Sequence, residues 1–343
     1  MKLVVITQAV DPDDPALGAT VDKLRALAER VDELVVLTLR TRPAGLPPNV
    51  RVRSFAARGP ALKAVRLLAA LVPELRRRPV AVLAHMVPAY ALVAAPVTRP
   101  FRIPLLLWFT HWRVSRLLRL AERVSTRVLS VNERSFPLRT SKLVATGHGV
   151  EVPKRVVVHN GNGSLRLLAL GRTSPAKGLE TLVDAIALVG DLPVAAEIRG
   201  PSLTVEEREH RAALVARVAH AGLEERIVVD GPVERSRVHS LYEHSDVLVN
   251  NMRAGALDKV VFEAAGAGLP VLVASDGFAQ LVDGLDPPLR FRQDDATELA
   301  GRIRALHELG ADGRAALGTA LRARVQAAHS VEHWADEVIT AAR

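Results

Sequence analysis

Short, almost wholly apolar runs alternate with longer amphipathic stretches along this chain. In the first half the runs include LVVIT at 3–7, LVVLTL at 34–39 and PLLLWF at 104–109. Runs without polar alternation are typical of parallel strands that are covered on both faces. The intervening stretches are long enough for crossover helices. The alternation therefore predicts a doubly wound α/β architecture.

The pattern occurs twice. In the first half it predicts strands at 3–7, 34–39, 50–54, 80–85, 104–109, 128–131 and 143–146, with helices near 18–30, 61–78, 88–97 and 112–124. In the second half it predicts strands at 165–170, 194–199, 227–229, 247–250 and 271–274, with helices at 177–189, 205–221, 235–243, 258–268, 296–309 and 313–328. A polar, glycine-rich stretch at 159–164 separates the two sets.

These elements predict two tandem Rossmann-like domains. We assign residues 1–155 to the first domain, 156–164 to a linker, 165–328 to the second domain, and 329–343 to a C-terminal helix that packs back on the first. Ligands of open α/β sheets bind outside the carboxyl ends of the strands. Two such domains are expected to face each other across a cleft where a donor and an acceptor could meet.

The composition narrows the class of protein. The chain contains no cysteine, which excludes disulfides and thiolate chemistry and fits a reducing cytoplasm. The apolar run at the N-terminus is too short for a signal peptide, and charged residues interrupt every long apolar stretch before about 20 residues. We therefore expect a cytoplasmic protein without a membrane-spanning helix.

The basic residues are concentrated in the first half. Residues 1–150 hold 24 Lys and Arg against 10 Asp and Glu, whereas residues 151–343 hold 22 against 27. Arg113, Arg116, Arg119, Arg123 and Arg127 share one helical face, and a second basic helix spans 61–78. These faces are either solvated or dock peripherally on anionic lipid. Nucleic acid is an unfavoured partner because only 3% of the residues are aromatic.

The segment LLALGRTSPAKGLETLVDAI, at 167–186, carries the main indication of chemistry. A strand ends at Gly171, and Arg172 and Lys177 bracket a short loop before a helix. Two cations beside a helix N-terminus can form a diphosphate site, although solvated cations on a surface loop would give the same pattern. Gly18 is a second candidate near the phosphates, without a GxGxxG fingerprint around it.

Three further side chains are candidates. Glu263 lies on a largely apolar helix, and its carboxylate could accept two hydrogen bonds from a vicinal diol such as ribose. His111 follows an apolar strand, so it can face a ligand or a reacting centre, or it can serve as a helix cap. His85 has an analogous placement and is a candidate on the acceptor side.

Three phrases together resemble the retaining GT-B glycosyltransferases, chiefly glycosyltransferase family 4. GRTSPAKG at 171–178 is similar to that family's Gly-Arg…Lys-Gly element, and FEAAGAGLPVLVA at 262–274 to its Glu-Ala-x-Ala-x-Gly-x-Pro-Val element. ATGHGVEV at 145–152 resembles the turn that ends the family's first domain. The resemblance covers roughly residues 128–283 well, and it is weaker over the first hundred residues.

The resemblance implies roles for individual residues. Arg172 and Lys177 would hold the donor diphosphate, Glu263 the nucleotide ribose, and the loop Arg199, Gly200 and Pro201 would lie near the base. Backbone N–H groups around Asp258, Lys259, Val260 and Val261 would help to bind phosphate. The family usually has a glutamate eight positions before Glu263, where this chain has Gly255. Asp258 is expected to be a helix cap and not a replacement for that glutamate.

The function expected from these residues is transfer of a sugar from a UDP- or GDP-sugar to an unidentified, lipid-linked or cell-envelope acceptor, with retention of anomeric configuration. Neither a metal nor a cofactor is expected, since the sequence has no Asp-x-Asp motif and no clustered histidines. Two alternatives stay open, a nucleotide-sugar epimerase of the same fold and a catalytically weak homologue that binds nucleotide-sugar.

Overall fold

The computed structural model describes residues 1–14, 17–111, 113–156, 163–252 and 257–343. The chain divides into two compact units, which are described separately. Unit 1 comprises Met1–Glu151 and Ala328–Arg343, and unit 2 comprises Val152–Ala327. Residues 157–162 of the predicted linker lie outside the described residues.

Unit 1 contains a parallel sheet of seven strands in the order β3-β2-β1-β4-β5-β6-β7. The strands are β1 Lys2–Val10, β2 Glu33–Thr41, β3 Val50–Ser54, β4 Ala81–His85, β5 Leu105–Trp108, β6 Arg127–Ser130 and β7 Leu143–Ala145, and the helices that connect them are α1 Thr20–Ala28, α2 Pro60–Leu75, α3 Pro88–Thr98 and α4 Arg116–Val124. Most side chains of the central strands are buried on both faces. This explains why their sequences are continuous apolar runs.

Unit 2 has a parallel sheet of five strands in the order β10-β9-β8-β11-β12. The strands are β8 Leu165–Leu170, β9 Val194–Arg199, β10 Ile227–Asp230, β11 Val247–Asn250 and β12 Val271–Val273, and the helices are α5 Leu179–Leu188, α6 Val205–His220, α7 Arg235–Glu243, α8 Lys259–Ala267, α9 Ala279–Val282, α10 Ala296–Glu308 and α11 Gly310–Ala328. In each unit the first strand lies inside the sheet, next to the point where the strand order reverses. The predicted pair of Rossmann-like α/β sheets is thus confirmed.

The last helix, α12 (Val331–Ala342), belongs to unit 1 and packs on α1. Trp334 is fully buried there. The Lys23 ammonium lies 3.8 Å from the centroid of the Trp108 ring and 5.0 Å from that of Trp334. This cation–π arrangement joins α1, β5 and α12. Arg30 reinforces the contact by donating from Nε to Asp336 at 2.6 Å.

Two predicted helices begin later than expected. The helix predicted from 112 begins at Arg116, because the Ser115 hydroxyl caps it by accepting from the Leu118 backbone N–H at 3.1 Å. The helix predicted from Lys177 begins at Leu179. Pro175–Lys177 forms a single 3-10 turn, and Gly178 then adopts a left-handed conformation with φ +53°. That conformation interrupts the helical path, so Lys177 lies on a separate turn before α5.

No helix among the described residues combines the length and the apolar character that a membrane crossing requires.

Candidate active site

The candidate site lies in unit 2, where the strand order reverses between β8 and β11. In parallel α/β sheets this is the position at which the loops from neighbouring strands diverge and leave room for a ligand. The Gly171–Gly178 loop follows β8, and Asn250 and Asn251 stand at the end of β11, ahead of α8. The two segments that the sequence singled out are therefore neighbours in space.

Two glycines allow the loop after β8 to fold tightly. Gly171 has φ +131°, and a Cβ placed there would lie 2.9 Å from the Lys177 ammonium. Gly178 has φ +53°, and a Cβ there would lie 2.8 Å from Asp294 Oδ1 and would also overlap the Asn251 amide. The missing side chains let Lys177 fold back over the end of β8. The left-handed Gly178 sets the direction in which α5 departs.

Asn251 holds this loop against the end of β11. Its Nδ2 carries two hydrogens and lies 3.0 Å from the Gly178 carbonyl, 3.0 Å from Thr181 Oγ1 and 2.9 Å from Asp294 Oδ1, so two of these acceptors share one hydrogen. Its Oδ1 accepts from the Asp294 backbone N–H at 3.1 Å. Asn251 is 5% exposed, so these hydrogen bonds are buried and fix the loop without reaching the surface.

Lys177 and Asp258 form a partly buried ion pair. The same carboxylate oxygen, Asp258 Oδ2, accepts from Asn250 Nδ2 at 3.0 Å. Asp258 stands at the N-cap position of α8, but its side chain makes no cap hydrogen bond. The expectation that Asp258 is a helix cap is therefore wrong, because its carboxylate is directed to the Lys177 ammonium and not to the first turn of α8.

The first turn of α8 begins at Lys259. Val261 is fully buried, and its backbone N–H donates to the Asp258 carbonyl at 3.2 Å. Val260 is half-buried. The helix dipole places partial positive charge at a helix N-terminus. This end of α8 is suited to an anion, as the sequence predicted for 258–261.

Arg172 extends from the opposite side of the loop. Its side chain is 57% exposed, and its Nη1 lies 3.2 Å from Glu207 Oε1. Glu207 is buried, and its Oε2 also accepts from the Leu203 backbone N–H at 2.6 Å. With Thr204 it forms a reciprocal capping box at the start of α6. The Glu207 carboxylate, fixed by the capping box, therefore positions the Arg172 guanidinium, while most of the Arg172 side chain stays exposed to solvent.

Glu263 lies between two cations. Its Oε1 is 3.6 Å from Arg235 Nη1 and 3.5 Å from Lys259 Nζ, and the side chain is 14% exposed. Tyr242 is buried beside it. Burial, together with the negative charges of Glu263 and Asp258, raises the pKa of the Tyr242 hydroxyl well above its usual value. The phenol is therefore neutral in this cluster.

The three residues predicted to lie near the base, Arg199, Gly200 and Pro201, make different contacts in the structure. Arg199 donates from Nε to Glu197 Oε1 at 2.9 Å and pairs with Asp230 on the next strand. Gly200 packs so closely on the Gly171 carbonyl that a Cβ would overlap it. Pro201 begins the lining of an open groove of about 720 Å³, formed by Pro201, Ser202, Leu203, Arg208, Arg211, Ala212, Val215 and Pro232.

This groove adjoins the Gly171–Gly178 loop. The hydroxyls of Ser202 and Thr173 lie 2.6 Å apart. The Thr173 carbonyl is 3.0 Å from His210 Nδ1, on α6. The groove is mostly apolar with two arginines at its side, a surface suited to a flat aromatic ring that carries an anionic group.

The candidates in unit 1 lie in different surroundings. His85 is buried, stacks on Trp108 at a centroid distance of 5.0 Å, and has its Nδ1 3.2 Å from Thr7 Oγ1. Burial and the Lys23 charge lower its pKa to about 3, so its ring is neutral. Gly18 is buried in a turn two residues before α1.

His111 is exposed after β5, and its Nδ1 accepts from the Arg113 backbone N–H at 3.0 Å. An accepting Nδ1 carries no proton, so the ring proton of the neutral imidazole is on Nε2. His111 can therefore donate to a ligand oxygen. It does not cap α4, because Ser115 does.

The structure thus gathers Arg172, Lys177, Asp258, Lys259 and Glu263 at one edge of unit 2. Gly255 lies outside the described residues. Asn250, Asn251, Glu207, Arg235 and Tyr242 were missed, since no motif marks them. The adjacent asparagines at the end of a buried strand are the one feature of the sequence that could have pointed there. No group of three or more His, Cys, Asp or Glu side chains in the described ranges could hold a metal ion.

Known proteins resemble the chain in part of its sequence and in its fold. Residues 164–308 match the family model described as "Glycosyl transferases group 1". No curated protein matches the chain. Among solved structures, HepE of Anabaena in complex with UDP and glucose has a TM-score of 0.76 at 19% identity, over 99% of this chain and 98% of that one.

Two further structures are similar. Sucrose-phosphate synthase from Thermosynechococcus elongatus has a TM-score of 0.76 at 17% identity, over 99% of this chain and 98% of that one. A glycosyltransferase from Rickettsia africae has a TM-score of 0.77 at 12% identity, over 99% and 97%. The predicted GT-B fold is thus confirmed.

Proposed function

We propose that the protein is a glycosyltransferase that takes a sugar from a nucleotide-sugar and passes it, with retention of configuration, to an acceptor on the side of unit 1. The observation that carries this proposal is the position of Lys177. Its ammonium lies at the strand-order reversal of unit 2, beside the start of α8 and within the residues that match the family model. A leaving diphosphate needs fixed positive charge at such a place.

The proposed donor lies along the edge of the sheet. The diphosphate contacts Lys177, Arg172 and the backbone at 258–261. The ribose hydroxyls donate to Glu263, which lies between the cations of Arg235 and Lys259. The base lies by Pro201, in the groove whose wall also carries Arg208 and Arg211. When the donor binds, the Lys177 ammonium leaves the Asp258 carboxylate and pairs with the diphosphate. The loss of the Lys177–Asp258 ion pair offsets part of the binding energy.

Nucleotide binding tests this arrangement. Lys177→Ala and Arg172→Ala should each weaken binding of UDP or GDP by about 1.5–3 kcal/mol, the contribution of a hydrogen bond to a charged group. Arg304→Ala is the matched control, because Arg304 pairs with Asp191 on the surface of unit 2, away from this loop. Calorimetric titration measures all three. If the wild type and both site variants bind UDP or GDP with equal affinity, Lys177 and Arg172 do not hold the diphosphate.

Product analysis separates the proposed activity from its two alternatives. Incubation of the donor alone, followed by NMR, should show slow hydrolysis to a sugar of unchanged anomeric configuration. Formation of a different sugar isomer without an acceptor would indicate an epimerase. Tight nucleotide binding with no change of the donor would indicate a binding protein.

A lipid surface is the proposed partner of unit 1, which would place the protein on the cytoplasmic face of a membrane. Helix α4 carries exposed apolar and basic residues side by side: Leu117 is 52% exposed and Leu120 is 47% exposed. The surrounding exposed residues are Arg113, Val114, Arg116, Arg119, Arg123 and Arg127. Exposed leucines flanked by arginines fit an interface of anionic headgroups and acyl chains.

Vesicle sedimentation tests the lipid surface. Binding should require an anionic lipid such as phosphatidylglycerol, because each basic residue near the surface contributes about 1 kcal/mol of attraction. It should weaken as salt is added, because salt screens this attraction. The double variant Leu117→Ser, Leu120→Ser should bind more weakly than the wild type, since full burial of a leucine side chain contributes about 1.5–3 kcal/mol. Val228→Ser, an equally exposed position of unit 2, is the control. Binding that is equal for neutral and anionic vesicles would contradict this proposal.

A further inference from the structure

Asn250 is the last residue of β11 and Asn251 follows it, and the two side chains make different contacts. Asn251 uses both its amide nitrogen and its oxygen within the fold. Asn250 is 4% exposed, and the single hydrogen bond of its side chain among the described residues is the donation from Nδ2 to Asp258 Oδ2 at 3.0 Å. Its Oδ1 is buried and has no donor in the described part of the chain.

Chemistry determines the orientation of the Asn250 amide. An ionised carboxylate only accepts hydrogen bonds, so the amide nitrogen and not the oxygen must face Asp258. The Asp258 oxygen that accepts this bond is also the one paired with Lys177. The Asn250 Oδ1 is the other arm of the same planar amide. Asp258 thus links the Asn250 amide to the cation that the proposed function assigns to the diphosphate.

An acceptor buried without a donor lowers stability, because it has lost its water. The rest of β11 is Val-Leu-Val and fully apolar, so a hydrophobic residue at 250 would fit the strand without that loss. A bound ligand that donates a hydrogen bond to Asn250 Oδ1 would supply the missing partner and remove this cost. An ionised diphosphate oxygen cannot do this, since it only accepts. On a nucleotide-sugar, the hydrogen-bond donors next to the diphosphate are hydroxyls.

We infer that Asn250 is a specificity-determining residue of the donor site and that its Oδ1 accepts a hydrogen bond from a hydroxyl of the donor sugar. This inference rests on the proposed function and deepens it. On a nucleotide-sugar, the hydroxyls adjacent to the diphosphate belong to the sugar on one side and to the ribose on the other. Glu263 serves the ribose, which leaves the sugar for Asn250.

The test compares a nucleoside diphosphate with its nucleotide-sugar in Asn250→Leu. Calorimetry would use UDP with UDP-glucose and GDP with GDP-mannose, and would continue with the pair that the wild type binds. The variant should bind the nucleotide-sugar about three- to tenfold more weakly, as expected for one neutral hydrogen bond. Its affinity for the diphosphate should change by less than about twofold, since that part of the ligand does not contact Oδ1. Equal changes for both ligands, or none, would overturn the inference.

Asp258→Asn is the control for the lost contact with Asp258. An asparagine there still accepts from Asn250 but loses its charge, so both ligands should change by the same factor. A loss specific to the sugar in Asp258→Asn, with none in Asn250→Leu, would assign the hydroxyl to residue 258 and refute our assignment. A wild type that binds neither pair would instead end the proposed function, so the two failures are distinguishable.

A measurement on the wild type covers the case in which Asn250→Leu does not fold. Donor analogues that each lack one sugar hydroxyl should include one that binds about three- to tenfold more weakly than the parent. Where the variant folds, that analogue should not be weakened further in it, because the two changes remove the same hydrogen bond. Equal binding of every analogue to the wild type would also overturn the inference.

Discussion

The substitution Gly178→Ala adds only one methyl group, but it should strongly destabilise unit 2. Residue 178 has φ +53°, and an added Cβ would lie 2.8 Å from Asp294 Oδ1 and would overlap the Asn251 amide. The left-handed conformation costs an alanine about 1–2 kcal/mol. Displacing the Asn251 amide breaks one or two buried hydrogen bonds at about 1–3 kcal/mol each. The two contributions sum to about 2–8 kcal/mol, and we expect a loss near the middle of this range in the free energy of unfolding.

Gly222→Ala is the matched control. Gly222 follows α6 with φ +66° and has no atom within 4 Å of an added Cβ, so only the conformational cost of about 1–2 kcal/mol applies. Urea unfolding would be followed by far-UV circular dichroism. Tryptophan fluorescence would follow unit 1 separately, because residues 108, 112 and 334 are the chain's three tryptophans. Equal losses in the two variants would refute the steric reasoning.

Two further predictions concern pH and metal. Burial lowers the pKa of His85 to about 3 and that of His329 to about 4, against about 6.5 in the unfolded chain. The unfolded chain thus binds more protons below pH 6.5, so the free energy of unfolding should fall as pH decreases from 6.5 towards 4, by up to about 1.4 kcal/mol per pH unit for each histidine. Unfolding at several pH values tests this, and a flat profile in the wild type would contradict it. If Lys177 and Arg172 supply the positive charge at the diphosphate, as proposed, turnover should persist in excess EDTA. Complete loss of turnover, restored by Mg²⁺, would contradict this.

Much of the fold could be predicted from local pattern. Runs such as LVVIT are apolar at every position, which is stable only when a strand is covered on both faces. Parallel strands in turn require long crossovers, which the intervening amphipathic stretches provide. Helix boundaries were less accessible, because they depend on single hydrogen bonds. The Ser115 hydroxyl delays α4, and the left-handed Gly178 delays α5.

The candidate site was partly predictable, for a related reason. Arg172, Lys177 and Glu263 follow or flank strands that end at the same edge of a parallel sheet, so their nearness follows from the topology. Glu207, Arg235 and Tyr242 lie on α6 and α7, at sequence separations that carry no periodic relation to the loop. Their contacts depend on how those helices pack, which hydrophobic periodicity does not specify.

The role of Asp258 shows where the sequence alone could not decide. An aspartate before a helix is usually a cap, and its position in the chain agrees with that role. In the structure its carboxylate is nearer to Lys177 and Asn250, which come from other strands and loops, and it pairs with them instead. The sequence by itself determined the two sheets and which strand ends could bear a site, because burial patterns are local. Only the tertiary structure decided which charges neutralise each other and which buried amide is left for a ligand, since those interactions depend on distances between residues far apart in the chain.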